Sequence, residues 1–459
     1  MPVLFFLLLT ILAVACGAGI IRICNIQLRP GVLIPLALLT GIALFSCVPF
    51  FLQLFFIQLT RLSIFLTLFV CGILLNMPLK KTVLWYKNIF RDSRVSVRLY
   101  EIPFLLLTTV IVIVSVWRCF YFPPTPRDLT SGAEAIAEYA VKEHTMINSV
   151  FTVNMESTNN PFKPPFVTSL QVIYKLAGFH FGKVWLSIIF VSFIIFLYHA
   201  LNDTLHPVIS GFLLICFIAI PEMFAYTFMV LFDYSNAVYF FIALYFLIVY
   251  FKNNRYSYLV FAAVMMGVAT YNRNETLILS AFILPAVVYH AVKNKWSVIK
   301  MIVRAFTFLL PSLIFYILCV PVYLNHYLPV TYNVNDQLNQ HLLNLSPLFV
   351  RFKEMNLQLV FSKEGIVHYS YFIFIFTLFL LGDLVLKGRF NSSAKNWLFF
   401  ILVAYMGLPI LGYLLPLVDL DNTTKRGLFK LFPLMLLYLA NSPMLVNLTQ
   451  RIMNWERKQ

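Results

Sequence analysis

Charge is scarce in this chain: only 11% of the 459 residues are Asp, Glu, Lys or Arg, 61% are hydrophobic, and mean hydropathy is +0.85. A soluble domain carries about a quarter charged residues, so a water-exposed surface over the whole chain is excluded. No long polar stretch supplies the material for a separate soluble domain. Neither a P-loop nor a GxGxxG run occurs, which excludes nucleotide-binding domains of those kinds. The eight histidines show no HExxH or paired spacing, so no zinc site is supported. Seven cysteines stand singly in or beside apolar segments with no CxxC, and they read as packing residues. The first apolar run, from Pro2, lacks a basic leader and passes directly into further apolar segments, so a cleaved signal peptide is not expected.

What is abundant is apolar sequence in windows of about 20 residues, the length that crosses a bilayer as a helix. The expected fold is all-α: a polytopic transmembrane bundle of about 13 spans, at 3–21, 31–57, 60–77, 102–120, 183–201, 206–222, 234–251, 257–272, 276–292, 303–323, 368–386, 396–416 and 427–442. The net charge of +16 sits in short loops between these runs, so it reads as a topology signal and not as a nucleic-acid footprint. Segment 78–101, with Lys80, Lys81, Lys87, Arg91, Arg94 and Arg98, is expected inside. Alternation then brings the other basic clusters to the same side and leaves most acidic residues outside, with the N-terminus outside as well.

Two outer loops are long, 121–182 and 324–367. In the first, Ser131-Gly-Ala-Glu134 reads as a capping box opening a short amphipathic helix with Ala133, Ile136, Ala137, Ala140 and Val141 on one face. A second helix follows Pro164-Pro165 and runs to Gly178. Both are expected to lie in the membrane interface. In the second loop, an amphipathic stretch from Leu348 to Phe361 suits a lid or an acceptor groove.

Several polar residues stand at the edges of apolar runs, where ionisable groups are expensive and often functional. Asp128 follows the fourth span, placed to act as a general base toward an acceptor hydroxyl, or simply to serve as a loop carboxylate or cap. Arg273, flanked by Asn272, Asn274 and Glu275, is the best-placed cation for a charged leaving group; its alternative is a turn anchor. Arg426, Lys425 and Lys163 form a second tier, with lipid headgroup contacts as the alternative. Glu222 and Asp233 bracket a turn rich in aromatics, a setting for sugar hydroxyls or for ordinary solvated carboxylates. Asp419-Leu-Asp421 has the DxD form, but three residues make no clear metal motif, so a divalent ion is left open and no cofactor is assigned.

The run from Asp128 through Lys163-Pro-Pro-Phe-Val to Gly178 resembles the first outer loop of the polytopic glycosyltransferases called GT-C, most closely the protein O-mannosyltransferase and lipid A aminoarabinose transferase group. Pro221-Glu222 with Asp233, Tyr271-Asn-Arg273-Asn-Glu275, and Arg426 ahead of Leu431-Phe-Pro433 look similar as well. The sequence departs from that pattern in three added spans within 1–101, in the lack of a second carboxylate beside Asp128, and in having no large soluble C-terminal domain. The resemblance implies a catalytic unit over 102–442 and a cytoplasmic tail over 443–459. It implies transfer of a sugar from a polyprenyl-phosphate donor to a lipid, glycan or protein acceptor on the outer face. Asp128 would then be the base, Arg273, Arg426 and Lys163 would hold the donor phosphate, and Asp233, Glu222 and Glu275 would meet sugar or acceptor. A bacterial inner membrane is the expected setting. The competing expectations are a multispan transporter or flippase for lipid-linked glycans, and a glycan polymerase or ligase of similar architecture.

Overall fold

The computed structural model of the protein describes residues 2–90, 98–126, 128, 132–151, 163–327, 343–386, 392–415, 420 and 424–458, and these are helical throughout, with no strand among them. The N-terminal helices are α1 (Pro2–Ile23), α2 (Pro30–Leu54), α3 (Arg61–Leu75), α4 (Leu79–Phe90) and α5 (Ile102–Tyr121). Next come α6 (Ala133–Glu143), α7 (Phe166–Leu176), α8 (Val184–Asn202), α9 (Pro207–Ile218) and α10 (Pro221–Ala225). They are followed by α11 (Phe232–Asn253), α12 (Tyr256–Asn272), α13 (Thr276–Lys293) and α14 (Val298–Ile317). The last are α15 (Ser346–Glu354), α16 (Tyr371–Leu386), α17 (Ser392–Leu414), α18 (Leu431–Asn441) and α19 (Pro443–Glu456). Proline opens α2, α9, α10 and α19 within the first turn, where its missing N–H has no helical partner to lose.

Among the described residues nine helices are long and apolar enough to cross a membrane, and they coincide with nine of the thirteen expected spans. This is the architecture of a multi-pass membrane protein. The other four depart from expectation for reasons of length or bending. At about 1.5 Å per residue a helix needs about 20 residues to cross the hydrocarbon core. With 12 residues, α9 is well short of that, and α12 has 17. The 15-residue α3 is bent by 75° from α4, and the helix Lys425–Asn441 by 51° from α19, so each pair is a broken span or a re-entrant turn. Segment 78–101, expected as a loop, holds α4 instead. Its Leu79, Val83 and Leu84 are exposed.

The core is built around α2 and α11, which are largely buried, while α5 presents nearly its whole surface outward. The added N-terminal spans do not stand apart. Helix α2 packs against α1, α7 and α8, and two tyrosines reach it from elsewhere in the bundle. Tyr239 donates to the Leu39 carbonyl at 2.8 Å, and Tyr271 to the Ser46 carbonyl at 2.9 Å. Helices α1 and α2 meet backbone to backbone where Gly17 faces the Ala37 carbonyl and Gly41 faces that of Ala13. A methyl group at either glycine would collide with main-chain atoms that cannot rotate away. Gly41→Ala is therefore expected to lower stability by about 1–3 kcal/mol, read as a lower thermal unfolding midpoint in detergent micelles. An unchanged midpoint would contradict this packing.

The first outer loop also departs from its expected form. Helices α6 and α7 are present, but nearly every residue of α7 is buried. It lies inside protein, not with one face in lipid. Ser131 lies outside the described residues, and the cap of α6 is Gly132, which makes no side-chain capping bond. Glu134 turns to α7 instead, pairing with Lys175 at 2.6 Å and accepting a bond from Gln171, while Gln171 accepts from the Trp185 indole at 2.6 Å. A buried carboxylate and amide thus lock the two helices together, because each would be costly without the other. Gln53, near the end of α2, accepts from the Met146 N–H at 2.7 Å and from the Thr145 hydroxyl at 2.9 Å, tying the next turn of the loop to the core.

Candidate functional site

The N-terminal end of α11 and the C-terminal end of α12 carry the charges that matter most, and a polar seam sets their positions. Asn236 donates to the Ala269 carbonyl at 2.7 Å and to the Thr276 hydroxyl at 3.0 Å. Asn272 meets the Ser235 hydroxyl at 2.6 Å. These bonds join two helices that are otherwise apolar, and a slip by one turn would leave all of them unmade. With the seam fixed, Asp233 in the first turn of α11 lies against Arg273 at the end of α12.

Arg273 is 5% exposed and pairs with both Asp233 and Glu275. Arg426 approaches the other oxygen of Asp233 at 3.4 Å. Lys163, ahead of α7, lies in the electrostatic reach of Arg273, Glu275, Asp233 and Arg426. Lys430, 4% exposed, lies in that of Arg273, Glu275 and Asp233. The structure thereby brings together five of the expected residues, Lys163, Asp233, Arg273, Glu275 and Arg426, from four separate parts of the chain. Glu222 stands beside them, ion-paired to Lys425 at 3.3 Å. Lys430 escaped the sequence reading. The signal for it was a lone cation inside the apolar run Leu428-Phe-Lys-Leu-Phe432.

The cluster has a net sign. Among the described residues four cations, Lys163, Arg273, Arg426 and Lys430, face two carboxylates, Asp233 and Glu275, and the surplus is two positive charges. Burial works against the charge of Arg273, but Glu275 and Asp233 outweigh it and hold its guanidinium above the usual arginine range. Burial, then the repulsion of Arg273, lowers the ammonium of Lys163 below the usual lysine range. Burial likewise pushes the Glu275 carboxyl upward, yet Arg273 and Lys163 prevail and hold it at about 2. A buried site with excess positive charge is suited to an anion that shares those donors.

Because the folded value of Glu275 lies below its ordinary value of 4.5, its stabilising contribution is complete above about pH 4.5 and is lost as pH falls toward 2. The unfolding midpoint of the wild type is expected to fall more steeply across that window than that of Glu275→Gln. Parallel curves would remove Glu275 from the linkage.

Asp128 is placed elsewhere. It is fully buried; Oδ2 accepts from the Thr125 N–H at 2.5 Å and Oδ1 from the Val230 N–H at 2.6 Å. Burial raises its carboxyl above the usual aspartate range, partly offset by these N–H groups and by Lys183. Lys183 is itself buried and donates to the Pro123 carbonyl at 3.2 Å. Through Val230, three residues before Asp233, Asp128 connects the end of α5 to the turn that enters α11.

Among the described residues no group of three or more His, Cys, Asp or Glu is arranged to hold a metal ion, and Asp419 and Asp421 lie outside them. Asp383 is a buried carboxylate inside α16, but it accepts from the Tyr438 hydroxyl at 3.0 Å and from the Met444 N–H at 3.0 Å, which explains it as a brace for the start of α19. No family model, no curated protein and no solved structure matches the chain.

Proposed function

We propose that the protein is a membrane glycosyltransferase of GT-C type that transfers a sugar from a polyprenyl-phosphate donor to an acceptor hydroxyl on the extracytoplasmic face. The observation that carries this reading is the largely buried cluster in which Lys163, Arg273 and Arg426, with Lys430, outnumber Asp233 and Glu275 among the described residues. A phosphate leaving group arrives already charged and gains charge as its bond to the sugar breaks, so it calls for cations and not for a strong general acid.

In this reading Asp128 takes the proton of the acceptor hydroxyl as its oxygen attacks the anomeric carbon, and the electron pair of the broken bond stays on the phosphate. Asp128 is fully buried and holds the Thr125 and Val230 N–H groups with one lone pair on each oxygen, so the acceptor hydroxyl has to be brought into its pocket to meet a remaining lone pair. Asp233, Glu222 and Glu275 set the position of the cations and offer acceptors to sugar hydroxyls. Counting α9, α12 and the two bent pairs as crossings gives thirteen spans with the basic loops inside, in a bacterial inner membrane. A glycan polymerase or ligase would use the same chemistry with a different acceptor.

The test is release of polyprenyl phosphate by purified protein in lipid, offered polyprenyl-phosphate sugars with lipid, glycan and peptide acceptors. No release with any pair would remove the enzyme reading.

A further inference from the structure

We propose that Lys430 is a further anion ligand of this site, and that with Lys163, Arg273 and Arg426 it matches the site to a lipid phosphomonoester dianion and not to a phosphodiester monoanion. This rests on the phosphate reading above and adds to it both a residue and a preference.

Lys430 is a member of the cluster that protein leaves without a contact partner. Its side chain is buried, yet among the described residues it makes neither a hydrogen bond nor an ion pair. Lysine is almost never buried without a partner, because removing an ammonium from water is costly unless a counter-charge answers it. Asp233 and Glu275 are within its electrostatic reach, but both are committed at contact distance to Arg273, and Asp233 to Arg426 as well. The Nε of Arg426 is also buried with no hydrogen-bond acceptor. Arg426 and Lys430, four residues apart in one helical segment, therefore bring donors that protein leaves unanswered, and it is these two that give the cluster its two positive charges in excess.

The charge of the occupant follows. A sugar–phosphate–lipid diester carries one negative charge. When the bond from the anomeric carbon to the phosphate oxygen breaks, its electron pair passes to that oxygen and the acceptor proton leaves with the base. The lipid phosphomonoester that results carries about −1.5 to −2 at pH 7, with a second pKa near 6. A surplus of two positive charges is neutralised by the product and only half neutralised by the donor. The site therefore holds the leaving group more tightly than the substrate, which favours bond breaking and makes the departing lipid phosphate an inhibitor.

Binding of farnesyl phosphate and of its methyl diester to the full-length protein in nanodiscs tests this directly. At pH 7.5 the wild type is expected to prefer the monoester by about tenfold or more. Lys430→Met is expected to lose that preference and Lys430→Arg to keep it, with the Met variant unfolding at the same temperature as wild type or above it, since a buried cation without a partner is removed. At pH 5, where the monoester has taken up one proton and is mainly a monoanion like the diester, the preference should vanish in the wild type. A Met variant that keeps the monoester preference, or one that loses it by unfolding at lower temperature, would overturn the assignment of Lys430 while leaving the phosphate site in place. Equal binding of monoester and diester by wild type would overturn the charge matching. Binding of neither would sink the phosphate reading, and this proposal with it.

Discussion

Replacing Arg273 by methionine is expected to destabilise the protein by about 3–5 kcal/mol, the cost of leaving buried carboxylates without their cation. The size of the effect comes from what remains behind. Asp233 retains Arg426 at 3.4 Å, but Glu275 loses the guanidinium that holds its carboxyl at about 2, and burial then favours its protonated form. Adding Glu275→Gln to Arg273→Met should therefore recover a large part of the loss, because the second substitution removes the charge that the first one stranded. The two changes are in contact and are expected to be strongly non-additive, by about 1–3 kcal/mol. Unfolding in mixed detergent–denaturant, measured for both single variants and the double, reads the coupling. If Arg273→Met unfolds within about 1 kcal/mol of wild type, the cluster is solvated and the argument for a buried anion site fails. Lys is not an equivalent replacement, since one compact ammonium cannot reproduce the planar guanidinium's simultaneous pairing with Asp233 and Glu275.

That Asp233, Arg273, Glu275 and Arg426 would need partners was legible because each is a charge at the end of an apolar run, where a partner or a ligand explains it. Who pairs with whom was not. Arg273 and Asp233 are 40 positions apart, and Arg426 and Asp233 are 193 apart, so no local spacing links them. The nine long spans were readable from length and hydropathy alone, whereas the bends after α3 and after α18 were not, because apolar composition continues across them. Ser131 and Glu134 have the spacing of a capping box, but that spacing gives no hint of the tertiary ion pair that Glu134 makes with Lys175, 41 positions away. The burial of α7 was missed for a related reason. An apolar face predicts burial but does not say whether lipid or protein covers it, and Gln171 on its other face is satisfied by Glu134 and Trp185. The place of α2 in the core was hidden because its contacts with Tyr239 and Tyr271 run through its own backbone carbonyls, which every residue has.

The last expected result concerns Asp128, where two roles make different forecasts. If the carboxylate is the base of the proposed reaction, Asp128→Asn should lower turnover by about 100- to 10,000-fold while donor binding changes little. If it only braces the chain, the same variant should lose stability and keep turnover per folded molecule. The structure sharpens this choice, because both carboxylate oxygens accept backbone N–H bonds, from Thr125 and from Val230. An asparagine can still accept one of them, but its amide NH2 would face the other N–H, a mismatch costing about 1–3 kcal/mol. Some loss of stability is thus expected in either case and cannot by itself separate the roles. The pH profile can: a base must be ionised to work, and burial raises the Asp128 carboxyl above the usual aspartate range, so turnover should fall on the acid side at a pH above that range. Asp128→Glu, which keeps the carboxylate but lengthens it, should retain an acid limb with reduced turnover, whereas Asp128→Asn should show none. An Asn variant with wild-type turnover and an unaltered acid limb would leave Asp128 as a brace between α5 and the entrance to α11, and the base would have to be sought among Glu222 and Glu275.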